Sequence, residues 1–198
     1  MALDDQDKQK LHNAINQIDN QRLVLTTLAI TFFGTGIGWW MGKTPAEGPD
    51  VRFTYIFSFA LMAVLFLLFL YSMFLKRMLR TFSTYLILQD ASTWEKDRFE
   101  FRTSEEFHIE WHERADFVVF LCLGLAAALF PILVLYLYKT PISIRWLVAH
   151  IITSTVYLLF IFSWGIGNRA DREKQIRAQW EKAIAKNQSA ANKEVKQL

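Results

Sequence analysis

Residues 53–75 read FTYIFSFALMAVLFLLFLYSMFL, without one Asp, Glu, Lys or Arg. A helix rises about 1.5 Å per residue, so roughly 20 apolar residues cover the ~30 Å hydrocarbon core of a bilayer. This stretch is long enough, and three more qualify: Leu23–Met41, Phe117–Tyr138 and Trp146–Gly167. None of them holds an Asp, Glu, Lys or Arg, and the fourth carries His150. The first follows 22 acidic, amide-rich residues rather than a short basic region, and Trp39-Trp40-Met41 is no small-residue cleavage site. It therefore reads as a retained span and not a leader. A barrel would show short alternating strands instead. The fold expected is all-α, a polytopic membrane protein with four transmembrane helices and a helical cytoplasmic region.

Working outward, the 198-residue chain is 53% hydrophobic and 21% charged, above the roughly 45–50% apolar content of soluble domains. The excess is concentrated in the four spans, which excludes a soluble globule and a disordered chain. The single cysteine, Cys122, lies within the third span and excludes a disulfide scaffold. Segments 1–22, 76–116 and 168–198 hold 18 of the 22 Lys and Arg residues. The two short loops between hold only Lys43, Arg52, Lys139 and Arg145. By the positive-inside bias this places both termini and the middle segment in the cytoplasm, with the chain in the cell inner membrane. Trp39, Trp40, Tyr55, Tyr136, Tyr138 and Trp146 fall near the outer boundary and Trp164 near the inner one, as interfacial aromatic belts.

The charged segments keep helical periodicity. Leu11, Ala14, Ile15 and Ile18 predict an amphipathic helix in 1–22 that runs unbroken into the first span. Met78, Phe82, Leu86 and Gln89 extend the second span to Gln89, for a helix of roughly 55 Å. Ser92-x-x-Glu95 and Thr103-x-x-Glu106 are capping-box patterns, the second opening a helix into the third span. Segment 76–116 thus forms a cytoplasmic helical hairpin. The tail carries an apolar stripe at Ile176, Trp180, Ile184, Ala191, Val195 and Leu198. It is basic where 76–116 is acidic, which favours packing of the two within a chain or between subunits. Ile176, Trp180 and Ile184 are the tail's candidates for assembly or ligand contact. Trp180 amid Lys and Arg could stack a base, or anchor helix packing or the membrane surface.

Within the spans, Thr27, Thr31 and Thr35 recur at i, i+4, i+8 as a hydroxyl stripe, with Gly34-x-x-x-Gly38 beside it. Such a stripe either lines a water-filled path or bonds back to i−4 carbonyls, while GxxxG marks close helix packing. Gly124-x-x-x-Ala128 is a second packing patch, and Pro131 interrupts the third helix. His150, about one turn into the fourth span, is either a gating or proton-sensing group or a side chain reaching the interface. Glu105, His108, His112 and Asp116 share one helix face and could bind a metal, though the order is not H-E-x-x-H. A hydrated polar face explains the same spacing.

No P-loop, dinucleotide fingerprint, nucleophile elbow or cysteine zinc cluster is present, so an enzyme is not expected and no cofactor is called for. With no fixed charge in any span, weak ion selectivity is expected. The layout of Ile15, Gln17, Asn20 and Arg22 leading straight into a span, followed by charged helices, resembles the small multi-span membrane effectors of bacterial anti-phage defence. That resemblance implies a homo-oligomer that opens the membrane when a cytoplasmic sensor protein or an anionic nucleotide or oligonucleotide signals. The expected function is a homo-oligomeric channel or pore, with a membrane scaffold recruiting a soluble partner as the alternative.

Overall fold

The computed structural model describes residues 5–43, 48–88, 110–141, 143–166 and 174–186. All regular structure among them is helical: α1 (Asp5–Lys43), α2 (Val51–Leu88), α3 (Glu110–Leu137), α4 (Ile144–Ile166) and α5 (174–186). The first four are each long and apolar enough to cross a membrane. α1 passes from its amphipathic start into its apolar half without a break. α2, at 38 residues, is about 57 Å long and nearly double a bilayer core. The capping boxes at Ser92 and Thr103 and the tail positions Ala191, Val195 and Leu198 lie outside the described residues.

Two compact units divide the chain: Met1–Gln21, Phe74–Ile109 and Asn168–Leu198 form one, Arg22–Met73 and Glu110–Gly167 the other. In the first unit Ile15 and Ile18 of α1 and Leu75, Leu79 and Leu86 of α2 are buried. Trp180 of α5 fixes that helix to α2. Its indole Nε1–H donates to Thr81 O at 3.1 Å, and its ring lies 4.5 Å from that of Tyr85. Lys8–Asp5, Lys10–Asp7 and Arg177–Glu181 of this unit are exposed single-turn ion pairs, each contributing a few tenths of a kcal/mol.

The second unit is a bundle of the apolar parts of α1 to α4. α2 touches all three others. Leu61, Met62, Leu65 and Phe69 of α2 pack with Ala29 of α1, Phe120, Ala127 and Ala128 of α3, and Tyr157 and Ile161 of α4. Lipid offers apolar side chains as good a surround as another helix does, so shape and close approach hold such a bundle together. Gly124 illustrates this: a Cβ there would overlap the Tyr157 ring, with Oη only 2.9 Å away. Outward faces are apolar too, with Leu28, Ile30, Leu67, Leu129, Leu133, Ile152, Val156 and Leu159 all exposed. That much bare hydrocarbon around an already formed core is what a lipid-facing surface requires.

The aromatic belt expected from sequence is only partly a belt. Trp39 is 53% exposed, but Trp40 is 2% exposed and meets Phe130 edge-on at 4.9 Å. Tyr55 is likewise buried, stacked on Trp146 and against His150. Adjacent helical residues point about 100° apart, so one of two tryptophans turns inward.

Helix ends follow local chemistry. Asp50 caps α2, its Oδ1 accepting from Arg52 N at 2.7 Å and Phe53 N at 3.4 Å. α3 ends in a Schellman turn: Thr140 N donates to Leu135 O at 3.0 Å and Lys139 N to Tyr136 O at 3.2 Å. Lys139 takes the left-handed conformation there, at φ 52°. Lys139→Gly is therefore expected to stabilise the purified protein by up to about 1 kcal/mol, read as a raised melting temperature in detergent. Gly124→Ala should lower stability by about 1–3 kcal/mol through overlap with Tyr157. Gly34→Ala and Gly38→Ala, with open space at the new methyl, should leave it unchanged or slightly raise it.

Candidate functional site

Three features of the second unit carry polar chemistry inside an apolar surround. The first is the free face of α1. Leu25, Ala29 and Trp40 are buried and Gly36 approaches Leu61 Cδ2, to 3.1 Å from where a Cβ would stand. Positions 25, 29, 36 and 40 share one side of the helix. Thr27, Thr31, Gly34, Thr35 and Gly38 occupy the opposite side and are exposed. Thr27 Oγ1 donates to Leu23 O at 3.0 Å, and Thr35 Oγ1 to Thr31 O at 2.8 Å, so these hydroxyls are back-bonded. Among the described residues Gly34 and Gly38 make no close approach; Gly36, which the GxxxG pattern passes over, does so instead. Gly124 and Ala128 pack inside the bundle, against Tyr157 and the core cluster.

The second feature joins α1 to α3. Arg22 Nη2 pairs with Asp116 Oδ2, with side chains 14% and 23% exposed, and Thr26 Oγ1 lies 3.4 Å from Asp116 Oδ1. Both residues stand one position before the apolar stretches of their helices. Asp116, expected beside His112 as a metal ligand, spends its carboxylate on Arg22. Glu105 and His108 lie outside the described residues, as does the side-chain placement of His112. Among the described residues no group of three His, Cys, Asp or Glu side chains forms a metal cluster.

The third feature is a buried polar node in α3. Pro131 has no N–H, so the carbonyl of Ala127, four residues earlier, has no backbone partner within the helix. Ser58 Oγ of α2 donates to it at 2.6 Å. One residue on, His150 of α4 meets Ala128 O through Nε2 at 2.7 Å. A carbonyl only accepts, so this contact assigns the Nε2–H tautomer. His150 is 1% exposed, lies against the rings of Tyr55 and Phe59, and has Ser154 Oγ at 3.4 Å from Nε2. It does not reach an interface. An unpaired carbonyl in hydrocarbon is costly, by about 1–3 kcal/mol in protein mutational terms; Ser58 removes that penalty at Ala127 O, and Ala128 O gives His150 Nε2–H its acceptor, while Nδ1 has no partner among the described residues.

In the first unit, Ile176, Trp180 and Ile184 form the half-buried side of α5. The Trp180 indole is engaged by Thr81 and Tyr85 of the same chain, which takes it away from base stacking.

Sequence reasoning passes over Gly36, Ser58 and the Arg22–Asp116 pair. Only Ser58 had a usable signal. A proline at position 131 announces an orphaned carbonyl at 127, and the few Ser and Thr hydroxyls of the neighbouring span, Thr54, Ser58 and Ser72, are the candidates to meet it. The other contacts join residues distant in sequence without a local pattern.

No protein-family model, no curated protein and no solved structure matches this chain. Fold and site together define an all-helical protein with four helices fit to cross a membrane, in which buried Ser58 and His150 join one helix to another.

The ion pair sets a clear expectation. Arg22→Met or Asp116→Leu alone should lower stability by about 1–3 kcal/mol, because each removes the ion-pair partner of a largely buried charge. The double variant Arg22→Met with Asp116→Leu should lose less than the two single losses added together. Melting curves of the four proteins in one detergent test this, and simple additivity would rule out the coupling.

Proposed function

We propose that the protein is a homo-oligomeric channel or pore of the cell inner membrane, with both termini cytoplasmic and its gate controlled through the cytoplasmic helical region. The observation that carries this reading is the free face of α1. The space among the four apolar helices is filled by Leu61, Leu65, Phe69, Phe120, Tyr157 and Ile161. Thr27, Thr31 and Thr35, with Gly34 and Gly38, lie outside that core on the side of α1 turned from it. A path lined by these hydroxyls therefore runs between copies rather than through one. Hydroxyls bonded back to their own helix keep lone pairs that can replace water around an ion without a fixed charge. The open space at both glycines allows a neighbouring helix to come close.

In this reading the helical unit built on Ile15, Ile18, Leu75, Leu79, Leu86 and Trp180 receives the signal, from a sensor protein or an anionic nucleotide ligand. The layout it shares with anti-phage effectors makes membrane permeabilisation the output. The same unit supports the alternative, since its separate core would equally suit a scaffold that recruits a soluble partner.

Purified protein in planar bilayers should conduct with weak ion selectivity, and Thr31→Leu should cut single-channel conductance at least several-fold by dewetting the path. Gly38→Leu should shift the detergent-solubilised oligomer toward monomer. A monomer with no conductance would overturn the proposal; a stoichiometric soluble partner with no conductance would establish the scaffold.

A further inference from the structure

Threonine hydroxyls in this protein, exposed and buried alike, bond to the carbonyl four residues back, as those of Thr26, Thr27, Thr35, Thr54, Thr81 and Thr153 do. Ser58 departs from that habit and crosses to Ala127 O of α3. Its own i−4 carbonyl, Thr54 O, stands within the same helix as a ready second acceptor. His150 has a second acceptor as well, because Ser154 Oγ lies 3.4 Å from the Nε2 that now serves Ala128 O. Each donor thus has two discrete partners, one on α3 and one on its own helix. The acceptors they share out are consecutive carbonyls of one turn, and Pro131 leaves the first of them without a backbone donor.

We propose that the Ala127–Pro131 turn of α3 is a latched hinge. Ser58 from α2 and His150 from α4 are its two latches. With both on α3, residues 110–127 and 132–137 are held at one angle. When Ser58 turns to Thr54 O and His150 to Ser154, the turn loses both cross-helix donors and the segment after Pro131 swings. Ile132, Leu133, Tyr136 and Leu137 of that segment are exposed, and only Val134 and Leu135 are buried, so its hold on the bundle is apolar and free to slide. Below the hinge, Gly124 seated on Tyr157 keeps the longer segment in place. The device stands whether or not the protein conducts.

Spin labels test it across the hinge. Cys122 is exposed and lies before Pro131, and Tyr136 is exposed beyond it. Labels on Cys122 and on a Tyr136→Cys variant, diluted with unlabelled protein in lipid nanodiscs, report the angle as a distance distribution by pulsed electron resonance. The protein with an intact latch should give one narrow population. Ser58→Ala and His150→Gln should each widen it about twofold or add a second population. Pro131→Ala restores the missing N–H to Ala127 O, so in that background Ser58→Ala should change nothing. If Ser58→Ala leaves the distribution narrow, or widens it equally with and without Pro131→Ala, the hinge is refuted. Ser58→Ala removes one oxygen and keeps the helix, so the test does not depend on the harsher His150 variant folding.

Discussion

A backbone carbonyl inside a lipid-facing bundle has no water to turn to, and every one must find a donor among its neighbours. Ala127 O is the place where the helix cannot supply its own. Ser58 must then stand opposite Ala127, and His150 opposite Ala128, which fixes the register of α2 and α4 against α3 to within the reach of a hydrogen bond. The rest of the packing follows that register. Met62, one turn along α2 from Ser58, meets Ser154, one turn along α4 from His150, with Ser154 Oγ 3.7 Å from Met62 Sδ. Phe66, a further turn on, meets Tyr157 and Phe160. Apolar faces slide against each other at little cost; one unsatisfied carbonyl does not.

Much of this was legible in the sequence because length and hydropathy are local properties. The four apolar stretches, the unbroken run from Asp5 into the first of them and the extension of α2 to Leu88 all follow from spacing alone. Direction was harder. Positions 27, 31, 34, 35 and 38 of α1 are visibly one face, yet which side of the helix meets the bundle depends on Ala29, Gly36 and Trp40 finding partners on α2 and α3. Trp39 and Trp40 make the point most sharply: identical residues, adjacent in sequence, one exposed and one buried by a rotation of about 100°.

The candidate site was less legible for the same reason. His150 is titratable and intramembrane by sequence, but its acceptor is a carbonyl of another helix, and carbonyls carry no residue signature. Asp116 shares a helical face with His112 as spacing requires, while Arg22, which claims its carboxylate, is a residue of a different helix. Spacing within one element cannot weigh a competitor from the next. Pro131 is the exception, since what a proline withholds from position 127 is written in the chain itself.

The Arg22–Asp116 pair joins residues 94 apart in sequence. At about 5–20 residues per second a ribosome needs roughly 5–20 s to travel that distance. For this interval Asp116 does not yet exist, and the long aliphatic stem of Arg22 lets its charge rest among lipid headgroups while the carbon chain stays in the apolar layer. α3 and α4, joined by the short connection after Leu137, emerge later and close upon each other quickly. The tie between α1 and α3 therefore cannot form until Asp116 has been made, long after the first apolar stretch has left the ribosome.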